Sequence, residues 1–310
     1  MKPVLTTCPY CGTGCMFHLL TDERGRAAGV LPALSSPPGK YQMCVKGWNA
    51  HSFVTHPDRL TAPLLRRDGE QRPASWEEAL DTVVARLKAI QQRYGNDAIA
   101  IFASGKITNE ENFLAMKLAR AVFGTNNIDH CARLCHSSTV VGLKATLGSG
   151  AMTNSIACIE HTDCIFVTGS NTTEQHPIIG AKILNAVQRG AKLIVADSRE
   201  IRLARHADIH LRHRNGTDVA LLNGLMHVIL RDGLEDRAFI EARTENVVAM
   251  RETALKYTPE IVAGICGVEP EAIVRAARLY ADAGRAMIFY SMGITQHTPG
   301  TNNVQSIANL

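Results

Sequence analysis

Aromatic residues are scarce in this sequence: they make up 5% of 310 residues, with two tryptophans. A nucleic-acid footprint is a basic stripe with aromatics set into it. Here the net charge is only +4 and the bases are interleaved with acids, so nucleic acid is excluded as an expected partner. Long apolar runs are missing as well. None approaches the roughly 20 residues a bilayer needs, and no membrane span is expected. The opening Met1-Lys2-Pro3-Val4-Leu5 shows neither an apolar leader nor a twin-arginine pair, which reads as cytoplasmic. No G-x-G-x-x-G and no P-loop occurs, so ordinary NAD or ATP binding lacks its signature. Internal repeats, low-complexity tracts and long linkers are also absent. What is present is a chain 45% hydrophobic and 20% charged. That excludes disorder, and the length implies about two or three domains.

Cysteine is the residue in which the chain is rich. There are nine, and four fall within the first 44 residues: Cys8, Cys11, Cys15 and Cys44. In a reducing compartment clustered cysteines read as metal ligands or catalytic thiols rather than disulfides. The spacing C-x2-C-x3-C with a distant fourth suits a [4Fe–4S] cube, in which each iron takes one thiolate. Gly12 and Gly14 permit the tight turn that lets three sulfurs converge. Zinc is the competing reading, although it normally shows two separate pairs. Lys46 follows two residues after the fourth cysteine, and on the residues alone it reads as a solvated surface side chain.

From about residue 59 the pattern changes to alternating helix and strand. Ser75 and Glu78 read as a capping box, followed by Leu80, Val83, Val84, Leu87 and Ile90 at helical spacing. A strand is expected over 97–102 and a helix over 109–123, closed by Gly124. Strands follow at 163–168, 191–196, 209–212 and 286–290. Helices are expected at 176–188, 217–231, 235–243, 246–257 and 269–283, and one begins near 301. Such alternation means parallel strands joined by crossover helices. Ligands in these sheets sit at the carboxyl ends of strands, which marks Gly169-Ser170-Asn171, Asp197-Ser198-Arg199 and Met292-Gly293 as one edge of a nucleotide site. The fold class is therefore α/β: a small iron–sulfur domain, then doubly wound parallel-sheet domains. The expected boundaries are 1–58, 59–130 and 131–310.

A second dense stretch reads Asp129-His130-Cys131-Ala132-Arg133-Leu134-Cys135-His136. Two Cys and two His so close could form a metal site or an activated thiol. The bland reading is a structural loop in which Cys131 is a small buried hydrophobe. Cys158, Cys164 and Cys266 carry no pattern, and Cys164, inside a strand, reads as core.

Taken together, the cysteine head, Cys44-Val-Lys-Gly, His56-Pro-Asp-Arg-Leu, Ser75-Trp-Glu-Glu-Ala, Gly124-Thr-Asn-Asn-Ile-Asp, Cys131-Ala-Arg-Leu-Cys-His, Gly169-Ser-Asn-Thr-Thr-Glu-Gln-His-Pro and Ala196-Asp-Ser-Arg resemble the catalytic subunit of molybdenum- or tungsten-dependent formate dehydrogenases. These belong to the bis-molybdopterin guanine dinucleotide superfamily. The resemblance covers essentially the whole chain, and it implies the following roles. Cys8, Cys11, Cys15 and Cys44 hold the [4Fe–4S] cluster, and Lys46 lies on the electron path between cluster and pterin. Cys135 ligates Mo or W where some members carry selenocysteine, and His136 assists hydrogen or proton transfer from formate. Gly169, Asn171, Glu174, Asp197, Arg199, Gly216 and Asp218 hold one guanine dinucleotide arm; Met292, Gly293 and Gln296 touch the pterin.

The same resemblance implies formate–carbon dioxide interconversion, with electrons passing to an iron–sulfur subunit or a ferredoxin, a hydrogenase complex being one such setting. It also exposes differences. Family members are about twice this length and continue into a C-terminal β-barrel. Their formate-gripping arginine, in a segment like Arg-Gly-Gln-Asn-Asn, has no counterpart before Leu310. The chain is thus expected to stop short of that barrel, leaving a missing C-terminal half or a second polypeptide to complete the site. Lys106 stands where some relatives have arginine. Two other readings stay open: a cofactor-free iron–sulfur relay subunit of a respiratory-type complex, and a related nitrate reductase.

Overall fold

The computed structural model describes residues 2–38 and 41–310. The chain opens with a sheet of order β1-β2-β3, built from β1 (Lys2–Thr7), β2 (Met16–Thr21) and β3 (Ala27–Pro32). The cysteine-bearing turn joins the first two strands, and a single-turn helix α1 (Val45–Trp48) follows the fourth cysteine. By packing the chain divides into two compact units.

The first unit comprises Met1–Val4, Leu19–Leu31 and Trp48–Leu134. Its hairpin β4 (Leu64–Arg67) and β5 (Glu70–Pro73) turns through Asp68 and Gly69, both at positive φ (53° and 85°), the conformation a two-residue hairpin needs. Helix α2 (Trp76–Tyr94) starts where expected: the Ser75 hydroxyl accepts from the Glu78 amide at 3.1 Å. The reciprocal half of the expected capping box is replaced, because the Glu78 carboxylate pairs with Arg67. A complete box forms instead at Thr108 and Glu111, opening α3 (Asn109–Lys117). The apolar positions of α2 are helical but not buried; Leu80 and Val83 stay exposed.

Two further expectations in this unit need correction. The strand expected over 97–102 is a 3-10 turn at Asn96–Ala98 and then a short β6 (Ile101–Ala103). Asp97 is drawn out of any ladder, since its carboxylate accepts from the Thr125 hydroxyl at 2.6 Å and its carbonyl from Asn127 at 2.8 Å. The helix expected over 109–123 changes at Leu118 into a π-turn to Phe123, closed by Gly124 at φ 68°. Strand β7 (Ile128–His130) pairs parallel with β6 and leads into the one-turn α4 (Ala132–Cys135).

The second unit comprises Leu5–His18, Pro32–Gly47 and Cys135–Leu310. Helix α5 (Ser137–Leu147) precedes β8 (Cys164–Thr168); α6 (Thr172–Gln175) and α7 (Pro177–Gln188) then cross to β9 (Lys192–Ala196), and β10 (Ile209–Leu211) completes that wing. A helical run follows: α8 (Asp218–Asp232), α9 (Arg237–Arg243), α10 (Val247–Ala254), α11 (Pro259–Cys266) and α12 (Pro270–Ala281). It returns the chain to β11 (Ala286–Tyr290), and α13 (Met292–Thr295) and α14 (Gly300–Asn309) end the described chain. Helix α11 is an addition to the expected set, although Thr258 caps it, Pro259 opens it and Gly267 at φ 72° closes it.

All four strands are parallel, in the order β10-β9-β8-β11. Alternation sends Cys164, Phe166, Ile194 and Ala196 into a core with α8, α11, α12 and α14. Ile165, Val167, Leu193 and Val195 enter a second core with α7. Helices therefore cover both faces, which is why β8 and β9 read as unbroken apolar runs. The chain leaves β8 toward β9 and comes back on its other side as β11. The crevice beyond β8 and β11 is thus a topological switch point, where such folds take ligands.

Helices α5 and α14 meet at a glycine. A Cβ on Gly142 would lie 2.7 Å from Val304 Cγ1 and 3.2 Å from the Thr301 carbonyl. Gly142→Ala is accordingly expected to lower stability by about 1–3 kcal/mol through overpacking. Gly264, on the exposed side of α11, has nothing within 4 Å of the place a methyl would take, so Gly264→Ala should raise stability by roughly 0.5–1 kcal/mol. Thermal unfolding of the two variants checks both; movement of the midpoint in the same direction would contradict the packing described.

Candidate functional site

The four N-terminal cysteines converge. Cys8, Cys11, Cys15 and Cys44 line one cavity with Tyr10, Met43, Gly47, Pro177 and Ile178. The turn that gathers the first three is closed by the Cys8 amide donating to the Cys15 carbonyl at 2.8 Å, and Gly14 sits within it at φ 70°. Burial, together with the charges of Cys11 and Cys44, pushes the Cys8 thiol up, while the Tyr10 backbone and Lys46 work against this. The Cys15 thiol is pushed up to about 11 by burial and by its three neighbours. Thiols raised in this way need a compensating positive centre to become thiolates. Among the described residues no three Cys, His, Asp or Glu side chains close on a single-ion site. Sulfurs spread around a cavity are what a cube asks of its ligands. Lys46, on α1, is half-buried rather than solvated as the residues alone suggested.

Cys135 ends α4 and His136 caps α5. Thr295 clasps this junction: its hydroxyl donates to the Cys135 carbonyl at 2.6 Å, and its carbonyl accepts from Ser138 at 3.2 Å. Gly300 makes room for the clasp, since a Cβ there would collide with the Thr295 carbonyl oxygen. Burial pulls the His136 imidazole below its ordinary value, and its Nδ1 lies 3.1 Å from the Thr139 hydroxyl. His176, before α7, is likewise lowered, by burial and then by the positive fields of Lys46 and His136. Lys46, His136 and His176 therefore share one electrostatic neighbourhood. In the other unit Cys131 is exposed, not buried as the bland reading had it, and its sulfur accepts from the Gly105 amide at 3.2 Å.

At the switch point, a groove of about 490 Å³ is lined by Gly169, Asn171, Asp197, Arg199, Gly216, Asp218, Met292 and Gly293, together with His213 and His297. Gly169, at φ 55°, and Gly293 touch backbone to backbone; the Gly293 amide donates to the Gly169 carbonyl at 3.0 Å, and a Cβ on either would lie 2.6–2.7 Å from the other's backbone. Asp197 accepts from the Arg199 amide at 2.8 Å. The buried Asn171 Oδ1 and Thr173 Oγ1 have no partner within the protein, a cost that a polar ligand would remove. Glu174 lies beside the groove, lining an adjacent 420 Å³ cavity with Asn171 and Arg199. Gln296 ends α13, and the neighbouring His297 faces the groove in its stead.

Comparison with known proteins accounts for this pairing of a four-cysteine turn with a switch-point groove. Residues 1–56 match the molybdopterin oxidoreductase Fe4S4 domain, and residues 59–310 match the molybdopterin oxidoreductase family. The chain belongs to the molybdopterin oxidoreductases. It is 47% identical over 305 residues to the F420-dependent formate dehydrogenase 1 subunit alpha of Methanococcus maripaludis, covering 98% of this chain and 44% of that protein. It is 42% identical over 320 residues to formate dehydrogenase H of Escherichia coli, covering 100% and 44%. Acetylene hydratase from Pelobacter acetylenicus shares the fold with a TM-score of 0.81 at 25% identity, over 99% of this chain and 43% of that one. The chain thus spans a little under half the length of the curated relatives it matches.

The residues present fit the cofactors of the molybdopterin oxidoreductases: an opposed set of thiols for the cluster, and a glycine-floored groove with orphaned polar atoms for a pterin nucleotide. Sequence reasoning missed Thr295, Gly300, Thr139, His176 and His213. The one available signal was the run Gln175-His176-Pro177, where a histidine precedes a helix-opening proline.

The Gly169–Gly293 contact yields a direct expectation. In Gly293→Ala the methyl must displace backbone rather than a flexible side chain. Bound pterin nucleotide, measured against iron, should fall several-fold while the four-iron content holds. Equal loss of both would show that the contact serves the whole unit and not the groove.

Proposed function

We propose that the protein is the catalytic subunit of a formate dehydrogenase, interconverting formate and carbon dioxide at a Mo or W bis-molybdopterin guanine dinucleotide centre and passing electrons through a [4Fe–4S] cluster. The observation that carries this reading is the Cys135–His136 junction: a cysteine and a base held neutral by burial, fixed together by Thr295. The names of the relatives support formate as substrate, and the four converging thiols support the electron exit. Supply of electrons to a separate iron–sulfur subunit or ferredoxin is part of the proposal, since those relatives include proteins named as subunits.

The balance to be met is HCOO⁻ → CO₂ + H⁺ + 2e⁻. When bound, the metal–pterin group supplies the two-electron chemistry. This chain's residues would do the rest. The Cys135 thiolate is the protein ligand to the metal. His136, with Nδ1 engaged by Thr139, has Nε2 available to take the proton; a neutral imidazole is the form that can do so. Lys46 raises the local potential near His176, which favours an arriving carboxylate. Lys46 also acts on the field of the cysteine set, lowering Cys8, and so favours an electron stored there. At the far end, Gly169, Asn171, Glu174, Asp197, Arg199, Gly216 and Asp218 are assigned to one guanine dinucleotide arm, and Met292, Gly293 and Gln296 to the pterin. A free carboxylate oxygen is the natural acceptor for the donor edge of guanine.

The test is metal and cofactor analysis of the anaerobically purified, natively expressed protein, with formate-dependent dye reduction alongside. About four Fe, one Mo or W and two pterin dinucleotides are expected. Four Fe with no Mo, W or pterin would overturn the reading in favour of an iron–sulfur relay. Cys135→Ser and His136→Ala should each lower formate oxidation by roughly 10²–10⁴-fold with four Fe retained. Nitrate reduction without formate oxidation would move the substrate assignment elsewhere in the family.

A further inference from the structure

Between the loop after β10 and the start of α8, His213 and Asp218 form a buried pair, and the proposed chemistry gives the histidine no role. His213 is 6% exposed and Asp218 5%. The imidazole Nε2 stands 3.1 Å from Asp218 Oδ1, and Nδ1 stands 3.3 Å from the Leu211 carbonyl. A carbonyl and a carboxylate are both acceptors only, so both ring nitrogens must carry protons for both contacts to be hydrogen bonds. A carbonyl on one ring nitrogen and a carboxyl group on the other are the partners an imidazolium takes.

The pair sits in the wall of the switch-point groove, where both residues line the cavity beside Asp197 and Gly216. Its surroundings are held from several directions. Arg214 is turned away, its amide donating to the Cys266 carbonyl at 2.8 Å and its guanidinium to the Gly264 carbonyl at 3.1 Å. Thr217 Oγ1 donates to the Arg214 carbonyl at 2.6 Å, and the Cys266 thiol donates to the Thr217 carbonyl. Arg212 donates to the Ser198 carbonyl, His210 to that of Asp197 and His297 to that of Gly293. The charges left facing His213 are those of Asp218 on α8 and Asp197 after β9.

We infer that His213 is a positioning residue for the nucleotide end of the cofactor groove: as a fixed cation it occupies Asp218 Oδ1 and holds that side chain in one rotamer, leaving Oδ2 for ligand donors. This rests on the groove being the dinucleotide site. Burial lowers the affinity of the ring for its proton, but the Asp218 bond and the charges of Asp218 and Asp197 outweigh it, and the net direction is up. A raised imidazole contributes below its ordinary value and loses that contribution as pH rises through the raised one. Nucleotide retention should therefore weaken on the alkaline side.

Three measurements on the purified holoprotein test this. Residue-resolved hydrogen–deuterium exchange at the histidine C2 position reads the protonation midpoint of His213, expected above the ordinary imidazole value; a midpoint at or below it would overturn the inference. Guanine nucleotide retained after desalting, counted against iron, is expected to fall as pH is raised. In His213→Gln it should be about ten-fold lower and flat with pH, and in His213→Lys, which keeps a cation and a donor, it should persist to higher pH than in the parent. Unchanged iron reports that each variant has folded. If His213→Gln retains nucleotide with the parent's pH profile while Asp218→Asn releases it, the positioning role fails and the groove reading stands. Full retention in both variants would overturn the groove reading itself, and this inference with it.

Discussion

The backbone contact between Gly169 and Gly293 is the constraint around which the second unit is arranged. It can exist only because β11 lies beside β8 in parallel register, Thr168 against Tyr290, so that both strands end at the same level. It demands glycine on both sides, since a methyl on either would lie inside the other's backbone. Closing the contact fixes where the two loops diverge. One carries Asn171 into the groove and then His176 toward the basic neighbourhood; the other carries α13, and with it Thr295, back to Cys135. A single short approach thus sets the separation between the nucleotide groove and the cysteine–histidine junction.

The chemistry on the two sides of this contact differs. Toward Cys135 stand two imidazoles lowered by burial, His136 and His176, beside the cation Lys46. Toward the groove wall the buried carboxylates Asp197 and Asp218 stand with His213 and Arg199. An anionic reacting end would meet Lys46, and a nucleotide end would meet both donors and acceptors. Burial supplies the contrast on both sides, because charges in a low-dielectric wall are screened far less than on an open surface.

Much of this was legible in the residues, for identifiable reasons. Strands β8 and β9 are unbroken apolar runs because both faces are covered, and a five-residue run leaves little ambiguity. Pro270 marks a helix start because its φ is fixed there, and Gly124 a helix stop because glycine enters the left-handed region freely. The turn of Cys8, Cys11 and Cys15 is legible because its spacing is local. What escaped the sequence depends on distance along the chain. Asp97 leaves its expected strand for hydroxyl and amide partners 28 and 30 residues away. Glu78 abandons its capping box for Arg67 on a hairpin. Thr295 meets Cys135 across 160 positions, and nothing in its neighbours announces that a threonine there will hold a cysteine. His213 hides for a subtler reason: a histidine five residues before an aspartate is ordinary in a loop, and only burial makes their pairing consequential.

The cysteine set shows why these long-range details matter to the proposed redox role. Cys8 and Cys15 resist ionisation, through burial first and then through the neighbouring thiols, so the set favours a positive centre that turns these thiols into thiolates. The nucleotide groove is built on the same logic in polar form, with the Asn171 Oδ1 left without a partner while Asp218 is already paired. Groups meant for the ligand are left unsatisfied, and groups meant to orient them are satisfied within the protein. On that criterion Thr295 and His213 are of one kind: both have their hydrogen bonds complete, and each holds the residue beside the chemistry in place. An unsatisfied atom marks where a ligand is wanted, and a fully bonded neighbour marks what keeps that atom aimed.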